Sequence, residues 1–161
     1  MLRDKNLVPL SHGHQHALAL CVRIDRAMQA GDHDLETWQR ELGREFDSEI
    51  ARHFLAEEQE VFPIAARFAE LQGLVTDLLA DHVLLRSLFS RAKTLSLSPS
   101  DLESFVESLA IHIRKEEREL FEGMQRCMTP EELAELGVAL AGLSNSPPAC
   151  SLRTGANQPR S

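Results

Sequence analysis

Tyrosine is absent from this chain of 161 residues, and cysteine occurs only three times. The lack of tyrosine excludes tyrosyl-radical chemistry and tyrosine as a proton donor. Cys21, Cys127 and Cys150 are odd in number, far apart and outside any CxxC spacing, so they predict neither a disulfide framework nor thiol redox chemistry. We expect Cys21 and Cys127 to be small apolar residues of the core.

Positive charge is also scarce, because 17 Lys and Arg residues stand against 25 Asp and Glu residues, a formal net charge of −8. An acidic surface repels phosphate backbones and anionic lipids, so we expect no nucleic acid and no membrane as partner. No stretch holds the roughly 18 uncharged apolar residues of a membrane span, and the N-terminal sequence MLRDKNLVPLSHGHQH lacks the apolar region of a secretion signal. The expected location is cytoplasmic.

Glycine and proline are few, 8 and 7 respectively, and they cluster at a small number of points. This layout predicts long helices with short connections, and neither β-branched alternation nor an Asn-Gly or Asp-Gly turn indicates strands. Four long helices are predicted, over 11–30, 34–62, 74–95 and 98–128, with a short fifth helix beginning at Thr129. Helices joined by short connections are antiparallel neighbours, so the predicted fold class is all-α, an up-down-up-down antiparallel four-helix bundle with a short extra C-terminal helix.

The helix ends and the domain boundary depend on specific residues. Pro63 should break the second helix, because its ring clashes with the preceding turn. The runs SPSD from Ser98 and TPEE from Thr129 are typical capping sequences. With 43% apolar residues in the chain, residues 1–143 can form one domain around a core. Residues 144–161, SNSPPACSLRTGANQPRS, have too little apolar surface and are predicted to be a disordered tail.

One pattern occurs twice: HFLAEE, from His53, returns as HIRKEE, from His112. In each copy the histidine and the first glutamate are four residues apart and lie on one helix face. The pairs are His53 with Glu57 and His112 with Glu116. Helical periodicity directs both pairs inward, along stripes of apolar residues.

The first and third helices contribute one inward histidine each. His82 lies on the apolar stripe of the third helix and His14 on that of the first, whereas His12 and His16 share a face with arginines and should see solvent. Counted from the connections at a rise of about 1.5 Å per residue, the four inward histidines fall at nearly the same depth. Four imidazoles and two carboxylates are thus predicted to meet in one layer.

Two explanations of this layer compete. Histidines on apolar stripes are often hydrogen-bonded core residues, and His–Glu pairs four apart are common on helix surfaces. On that basis the chain is a structural helical module without a metal. Two carboxylates inside an apolar bundle, however, cost several kcal/mol each unless positive charge holds them, and no lysine or arginine lies on the inward stripes. A bound cation is the simpler explanation.

The type of ligand limits the type of metal. Imidazole and carboxylate without thiolate suit iron or manganese, and zinc less specifically. Two ions could share the two glutamates as bridges and take two histidines each, with an oxo or hydroxo bridge from solvent as a fifth ligand. Open positions would remain for O2, NO or peroxide. A tetrahedral structural zinc would not need six ligands.

The ordered series LSHGHQHAL, HFLAEEQEVFP, LLADHVLLR and HIRKEERELF resembles the hemerythrin-like, or HHE cation-binding, domain family over residues 7–128. The resemblance implies a centre of two non-haem iron ions bridged by glutamates, for which manganese or zinc could substitute. The implied metal ligands are His14, His53, Glu57, His82, His112 and Glu116.

The series departs from the oxygen-carrying members of that family at two places. They carry a second histidine one turn after the one in the third helix, where this chain has Arg86, and an aspartate five residues after the fourth-helix histidine, where it has Glu117. These departures speak against reversible O2 carriage and favour a protein that binds or senses O2, NO or related small molecules. Its ligand is expected to be a diatomic molecule or peroxide, and the protein is expected to be a monomer or a homodimer. The alternative is a di-iron enzyme acting on peroxide or nitric oxide, or in iron–sulfur cluster repair.

Four polar residues near the series have two interpretations each. We expect Glu58 and Glu117 to be solvated, the alternative being that they orient ligand histidines from outside. Arg86 is expected to be solvated, or alternatively to steer an anion toward the centre. His16 is expected to be exposed, or to be a further ligand if the first helix is rotated.

Overall fold

The computed structural model describes residues 2–32 and 34–144, and within them the chain is all-α, as predicted. His33, predicted to lie in a turn, is outside the described residues, as is the predicted disordered tail apart from Ser144. Five helices follow one another in the described chain. They are α1 (Val8–Gln29), α2 (residues 35–65), α3 (Ala69–Lys93), α4 (residues 99–127) and α5 (Pro130–Ser144).

Two of these helices contain π turns. In α2 the α-helical segments Leu35–Glu45, Ala51–Ala56 and Phe62–Ala65 are joined by the π turns Phe46–Ile50 and Glu57–Val61. In α4 the segments Pro99–Lys115 and Phe121–Cys127 are joined by the π turn Glu116–Leu120.

The capping predictions hold, whereas the break at Pro63 is displaced. Ser98 and Asp101 form a reciprocal capping box at the start of α4, and Thr129 and Glu132 exchange equivalent hydrogen bonds before α5. The second helix continues past Pro63 to Ala65. Pro63 is tolerated there because it follows a π turn and occupies the first turn of a new α-helical segment, where a missing N–H costs little.

The helices pack around a core in a closed order. Helix α1 contacts α4, α4 contacts α3, α3 contacts α2, and the first π turn of α2 contacts α1, while α5 packs on the second π turn of α2. No helix in residues 2–32 and 34–144 combines the length and apolar character needed to span a bilayer.

Two apolar clusters fill this core, and a polar layer separates them. Every long helix crosses the layer, α1 and α3 in one sense and α2 and α4 in the other. The successive residues on the three levels are Leu10, His14 and Ala17 in α1; Phe54, Glu57 and Val61 in α2; Leu78, His82 and Leu85 in α3; and Ile113, Glu116 and Leu120 in α4.

The two cysteines in the described part differ in environment. Cys21 is buried in the apolar core, as predicted, and burial raises the pKa of its thiol to about 11. Cys127 was predicted to be a core residue and is not. Its thiol is only partly buried and donates a hydrogen bond of 2.9 Å to Oε1 of Glu70, because the last turn of α4 presents it to the polar side of α3.

Candidate metal centre

The six residues singled out from the sequence converge in the polar layer. Helix α1 supplies His14, α2 supplies His53 and Glu57, α3 supplies His82, and α4 supplies His112 and Glu116. Both glutamates and three of the histidines are buried, and His53 is the most accessible, with 16% of its side chain exposed. Among described residues the only other buried polar side chain is that of Gln39, whose Oε1 accepts a hydrogen bond from the backbone N–H of Leu97.

The histidines form two pairs that face each other with their Nε2 atoms. The Nε2 atoms of His14 and His53 are 2.8 Å apart, and those of His82 and His112 are 3.1 Å apart. We call the space beside His14 and His53 the first half of the centre and the space beside His82 and His112 the second half. The two histidines of each pair come from two different helices.

Glu57 faces both halves. Its Oε1 lies 2.9 Å from Nε2 of His53 and 3.4 Å from that of His14, while its Oε2 lies 3.4 Å from Nε2 of His82. One oxygen therefore belongs to each half, which is the arrangement of a bridging carboxylate.

Glu116 repeats this arrangement from the opposite helix. Its Oε2 lies 3.1 Å from Nε2 of His14, and its Oε1 lies 3.3 Å from Nε2 of His112 and 3.9 Å from that of His82. Each half thus has two nitrogens, from its histidine pair, and two oxygens, one from each glutamate.

The second π turn of α2 begins at Glu57, and the π turn of α4 begins at Glu116. Bonds from i to i+5 widen the helix locally, and such turns are frequent at functional sites. The second members of the Glu-Glu doublets, Glu58 and Glu117, also lie in these π turns, and they contact histidines of the layer from outside. Sequence reasoning missed these turns, and the only signal for them was the repeated doublet.

The second glutamate of each doublet orients a histidine from a neighbouring helix. Nδ1 of His14 donates to Oε1 of Glu117 at 2.7 Å, and Nδ1 of His82 donates to Oε1 of Glu58 at 2.8 Å. The expectation that Glu58 and Glu117 are merely solvated is therefore wrong, and the alternative interpretation is correct. A proton held on Nδ1 leaves Nε2 free as a ligand atom.

Each outer carboxylate has a cation of its own. Glu117 pairs with Arg3 at 2.8 Å and Glu58 with Arg86 at 2.6 Å. Arg86 is thus neither purely solvated nor aimed at the centre, because it is held by Glu58 and lies over the ring of Phe54.

A third outer carboxylate follows the same rule. Asp81 lies 3.4 Å from Nδ1 of His112 and pairs with Lys115 at 2.9 Å. The outer acids are thereby neutralised one by one, and no lysine or arginine among described residues pairs with Glu57 or Glu116.

All four carboxylate oxygens of Glu57 and Glu116 are buried and lack a hydrogen-bond partner within the described part of the chain. Leaving a buried charged group unsatisfied is costly. Two sets of side chains place one ligand atom each within 4.8 Å of the others and so could hold an ion. They are Glu57, His82, His112 and Glu116, and His14, His53 and Glu57. The residues therefore fit a bound cation in each half.

The pKa values of His14 and Glu57 are both shifted toward the charged forms of these residues. Burial would lower the pKa of His14, but three carboxylates outweigh it and raise this pKa well above its ordinary value; they belong to Glu116, Glu117 and Glu57. Burial would raise the pKa of Glu57, but the neighbouring histidines hold it well below its ordinary value. Burial is likewise outweighed at His82, whose pKa is raised by Glu57 and Glu58, whereas burial lowers the pKa of His112. Without metal, protons therefore compete with a metal for the nitrogens of His14 and His82.

The remaining histidines of the described part lie outside the centre. His12 is exposed, and His16, with 70% of its side chain exposed, lies 3.7 Å from Glu49 on the surface. His16 is therefore not a further member of the cluster, in agreement with the helical periodicity.

A cleft of about 520 Å³ leads from the surface to the centre. Its walls are largely apolar side chains of α1, α2 and α5, and its floor includes His14, His53, His112 and Glu116. Phe54, which also lines the cleft, stacks on His82 with ring centroids 3.8 Å apart, and Phe62 lies 5.2 Å from the same ring. Of the six clustered residues, Glu57 and His82 do not line the cleft.

A family model described as the hemerythrin HHE cation binding domain matches residues 9–123. This range contains all six clustered residues and runs from the first turn of α1 into the last segment of α4. No curated protein and no solved structure matches the chain significantly.

Proposed function

The chain belongs to the hemerythrin HHE cation-binding domain family, and on that premise we propose that its buried cluster holds two non-haem iron ions and binds or senses a small molecule such as O2 or NO. The observation that carries the proposal is the pair of buried glutamates whose unpartnered oxygens face two histidine pairs. Nitrogen and oxygen ligands without sulfur are compatible with iron and with manganese or zinc as substitutes.

In this proposal each ion has its own pair of histidine ligands. In the first half an ion would be held by Nε2 of His14 and of His53, and in the second half by Nε2 of His82 and of His112. Glu57 and Glu116 would each give one oxygen to either ion. Bound iron would supply redox chemistry and open coordination positions for a small molecule.

The protein's own contribution is orientation and control of access. Glu117 and Glu58 fix the tautomers of His14 and His82, so that their Nε2 atoms stay directed inward. Apolar clusters above and below the layer exclude bulk water. The cleft leaves one largely apolar route to the centre, which suits uncharged molecules such as O2 and NO.

Metal content is the first test. Protein purified without chelators is expected to contain about two metal ions per chain, and His112→Ala should lower this content because a ligand of the second half is lost. His12→Ala is the matched control, since His12 is exposed. A wild-type protein that takes up no iron, manganese or zinc would leave only the structural-module interpretation.

Ligand binding is the second test. We expect the optical spectrum of the reduced, iron-loaded protein to change on addition of NO or O2. The change should be lost in His112→Ala but kept in Glu119→Gln, which alters an exposed residue outside the cleft. An iron-loaded protein whose spectrum is indifferent to both gases would contradict a binding or sensing role.

The size of the cleft favours one further candidate, an enzyme that acts on peroxide. A water molecule in the liquid occupies about 30 Å³, so the cleft of about 520 Å³ can admit reactants larger than a diatomic molecule. Steady release of oxygen from peroxide by the iron-loaded protein would support this candidate. A single, stoichiometric spectral change without turnover would favour binding or sensing.

A further inference from the structure

Two arginines contact the centre in the same way, through one glutamate and one phenylalanine each. In the second half Arg86 pairs with Glu58 at 2.6 Å, and Glu58 accepts the Nδ1 proton of His82. The same guanidinium lies 5.5 Å from the ring centre of Phe54, and Phe54 stacks on His82.

In the first half Arg3 makes the corresponding contacts. It pairs with Oε2 of Glu117 at 2.8 Å, and Oε1 of Glu117 accepts the Nδ1 proton of His14 at 2.7 Å. Its guanidinium lies 5.1 Å from the ring centre of Phe121, which stacks on His14 at 5.6 Å with an interplanar angle of 9°. The imidazole is thus held by a hydrogen bond and by a ring that the arginine covers.

The two arginines lie in different kinds of structure, one in a long helix and one in the segment before the first helix. Arg86 lies one turn after His82 on α3, so the helix itself brings it to Glu58. Arg3 lies before α1, in the N-terminal segment, by which we mean residues 2–7. The support of His14 therefore depends on the docking of a segment that belongs to none of the four long helices.

Polar contacts to α4 hold this N-terminal segment. Oε1 of Gln125 accepts from Nη1 of Arg3 at 3.0 Å and from the backbone N–H of Asp4 at 3.2 Å, and its Nε2 donates to the backbone carbonyl of Leu2 at 2.9 Å. Nη2 of Arg3 also donates to the backbone carbonyl of Glu117 at 2.6 Å. Leu7 is fully buried, whereas Leu2 is 92% exposed.

Polar contacts of this kind are close in free energy to the contacts with water that would replace them. Docking of residues 2–6 is accordingly weaker than the packing of the long helices and responds to small changes at the centre.

We propose that the N-terminal segment is a positioning element of the metal centre, and that its docking and metal binding in the first half stabilise each other through Arg3, Glu117 and His14. This rests on the proposed function, since it takes the cluster to be a metal site. A metal on Nε2 of His14 fixes the ring whose Nδ1 holds Glu117, and Glu117 in turn holds Arg3. Because coupling between two binding events is reciprocal, releasing the segment must weaken the metal in the first half.

The test compares Arg3→Met with Arg86→Met in the full chain. Each change removes one guanidinium that supports one histidine, but only Arg3→Met releases the N-terminal segment. Two measurements are made on both variants and on wild type: titration with Zn²⁺ or Co²⁺ against a competing chelator, and amide hydrogen exchange at residues 2–7 with and without metal.

We expect metal loading of the wild type to slow exchange at Asp4 and Leu7, whose N–H groups are bonded in the docked segment. Arg3→Met should weaken one of the two ions by about 10- to 100-fold, the usual effect of losing an outer-shell partner, and abolish the slowing. Arg86→Met should weaken one ion to a similar degree and keep the slowing. Arg3→Lys, which retains the charge, should restore part of both effects.

The failures of the two proposals are distinguishable. If the wild type binds two ions tightly but exchange at residues 2–7 is the same with and without metal, the coupling is overturned and the metal centre stands. If Arg3→Met binds both ions like the wild type, the positioning role is overturned as well. If the wild type binds no metal at all, both the coupling and the proposed function fall.

Discussion

Gly13 and His53 lie so close that a Cβ atom on residue 13 would stand 2.8 Å from Nδ1 of His53. Of the four clustered histidines, His53 is the one whose Nδ1 has no carboxylate partner in the described part of the chain. Because Gly13 has no side chain, α1 packs directly against the ring of His53 and keeps it in place. Glu117, Glu58 and Asp81 do the same for the other three histidines.

We predict that Gly13→Ala displaces the ring of His53 and weakens the metal in the first half by about tenfold or more, as the loss of a supporting contact does elsewhere. The measurement is a metal titration against a chelator. Gly73→Ala is the matched control, because nothing lies within 4 Å of the added Cβ, and this change should leave metal binding unaltered while stabilising the protein by about 0.4–1 kcal/mol. Two tightly bound ions in Gly13→Ala would contradict the prediction.

Glu57→Gln is expected to reduce metal content more than the loss of a histidine does. Its oxygens face both halves, at 2.9 Å from His53 and 3.4 Å from His82, so both ions lose a charged ligand. His53→Ala removes a ligand from the first half alone and should leave about one ion per chain. Elemental analysis decides, with the exposed Glu119 changed to Gln as control. Equal metal content in Glu57→Gln and wild type would count against bridging.

The stability of the metal-free protein should depend on pH through the protonation of His14. Its pKa in the folded protein is raised by the surrounding carboxylates, against the effect of burial, so protonated His14 contributes stability. That contribution is full below the unfolded pKa of about 6.5 and is lost as pH rises through the folded pKa. Urea unfolding of wild type and His14→Gln without metal should therefore show a gap in stability that shrinks as pH rises above about 6.5.

Metal binding should follow the opposite trend, since the proton on Nε2 must leave before a metal can bind. Affinity for Zn²⁺ is expected to increase over the same interval in which the stability gap closes. A gap that widens with pH, or an affinity that falls, would show that His14 is not the protonated group.

Asp101 should make the start of α4 sensitive to acid. Hydrogen bonds from the backbone and side chain of Ser98, together with the neighbouring Arg91, lower the pKa of Asp101 to about 2. Its charge therefore contributes stability above the unfolded pKa of about 3.9, and this contribution is lost as pH falls toward 2. We expect the urea midpoints of metal-free wild type and Asp101→Asn to differ at pH 5 and to converge near pH 2. Midpoints that differ equally at both values would exclude the capping charge as the cause.

The six residues of the polar layer could be predicted from the sequence because an α-helix has a fixed period of 3.6 residues per turn. His14, His82 and the two His-Glu pairs share stripes with apolar residues that had to be buried, so the hydrophobic pattern placed them inside without any knowledge of the partners. The same rule kept His12 and His16 outside. It did not foresee the π turns at Glu57 and Glu116, because periodicity assumes a regular helix. It also did not foresee the hydrogen bonds of Glu58 and Glu117, because these join histidines on other helices.

The amino-acid sequence by itself determined the helices, the caps at Ser98 and Thr129, and the polar level within the bundle, since all of these follow from interactions between residues a few positions apart. Tertiary structure decided which groups meet across helices: His14 with His53, Glu117 with His14, and Arg3 with a ring and a carboxylate more than a hundred residues away. Such contacts depend on how the helices are rotated and set against one another, and those angles are fixed only when all the apolar faces are buried at once.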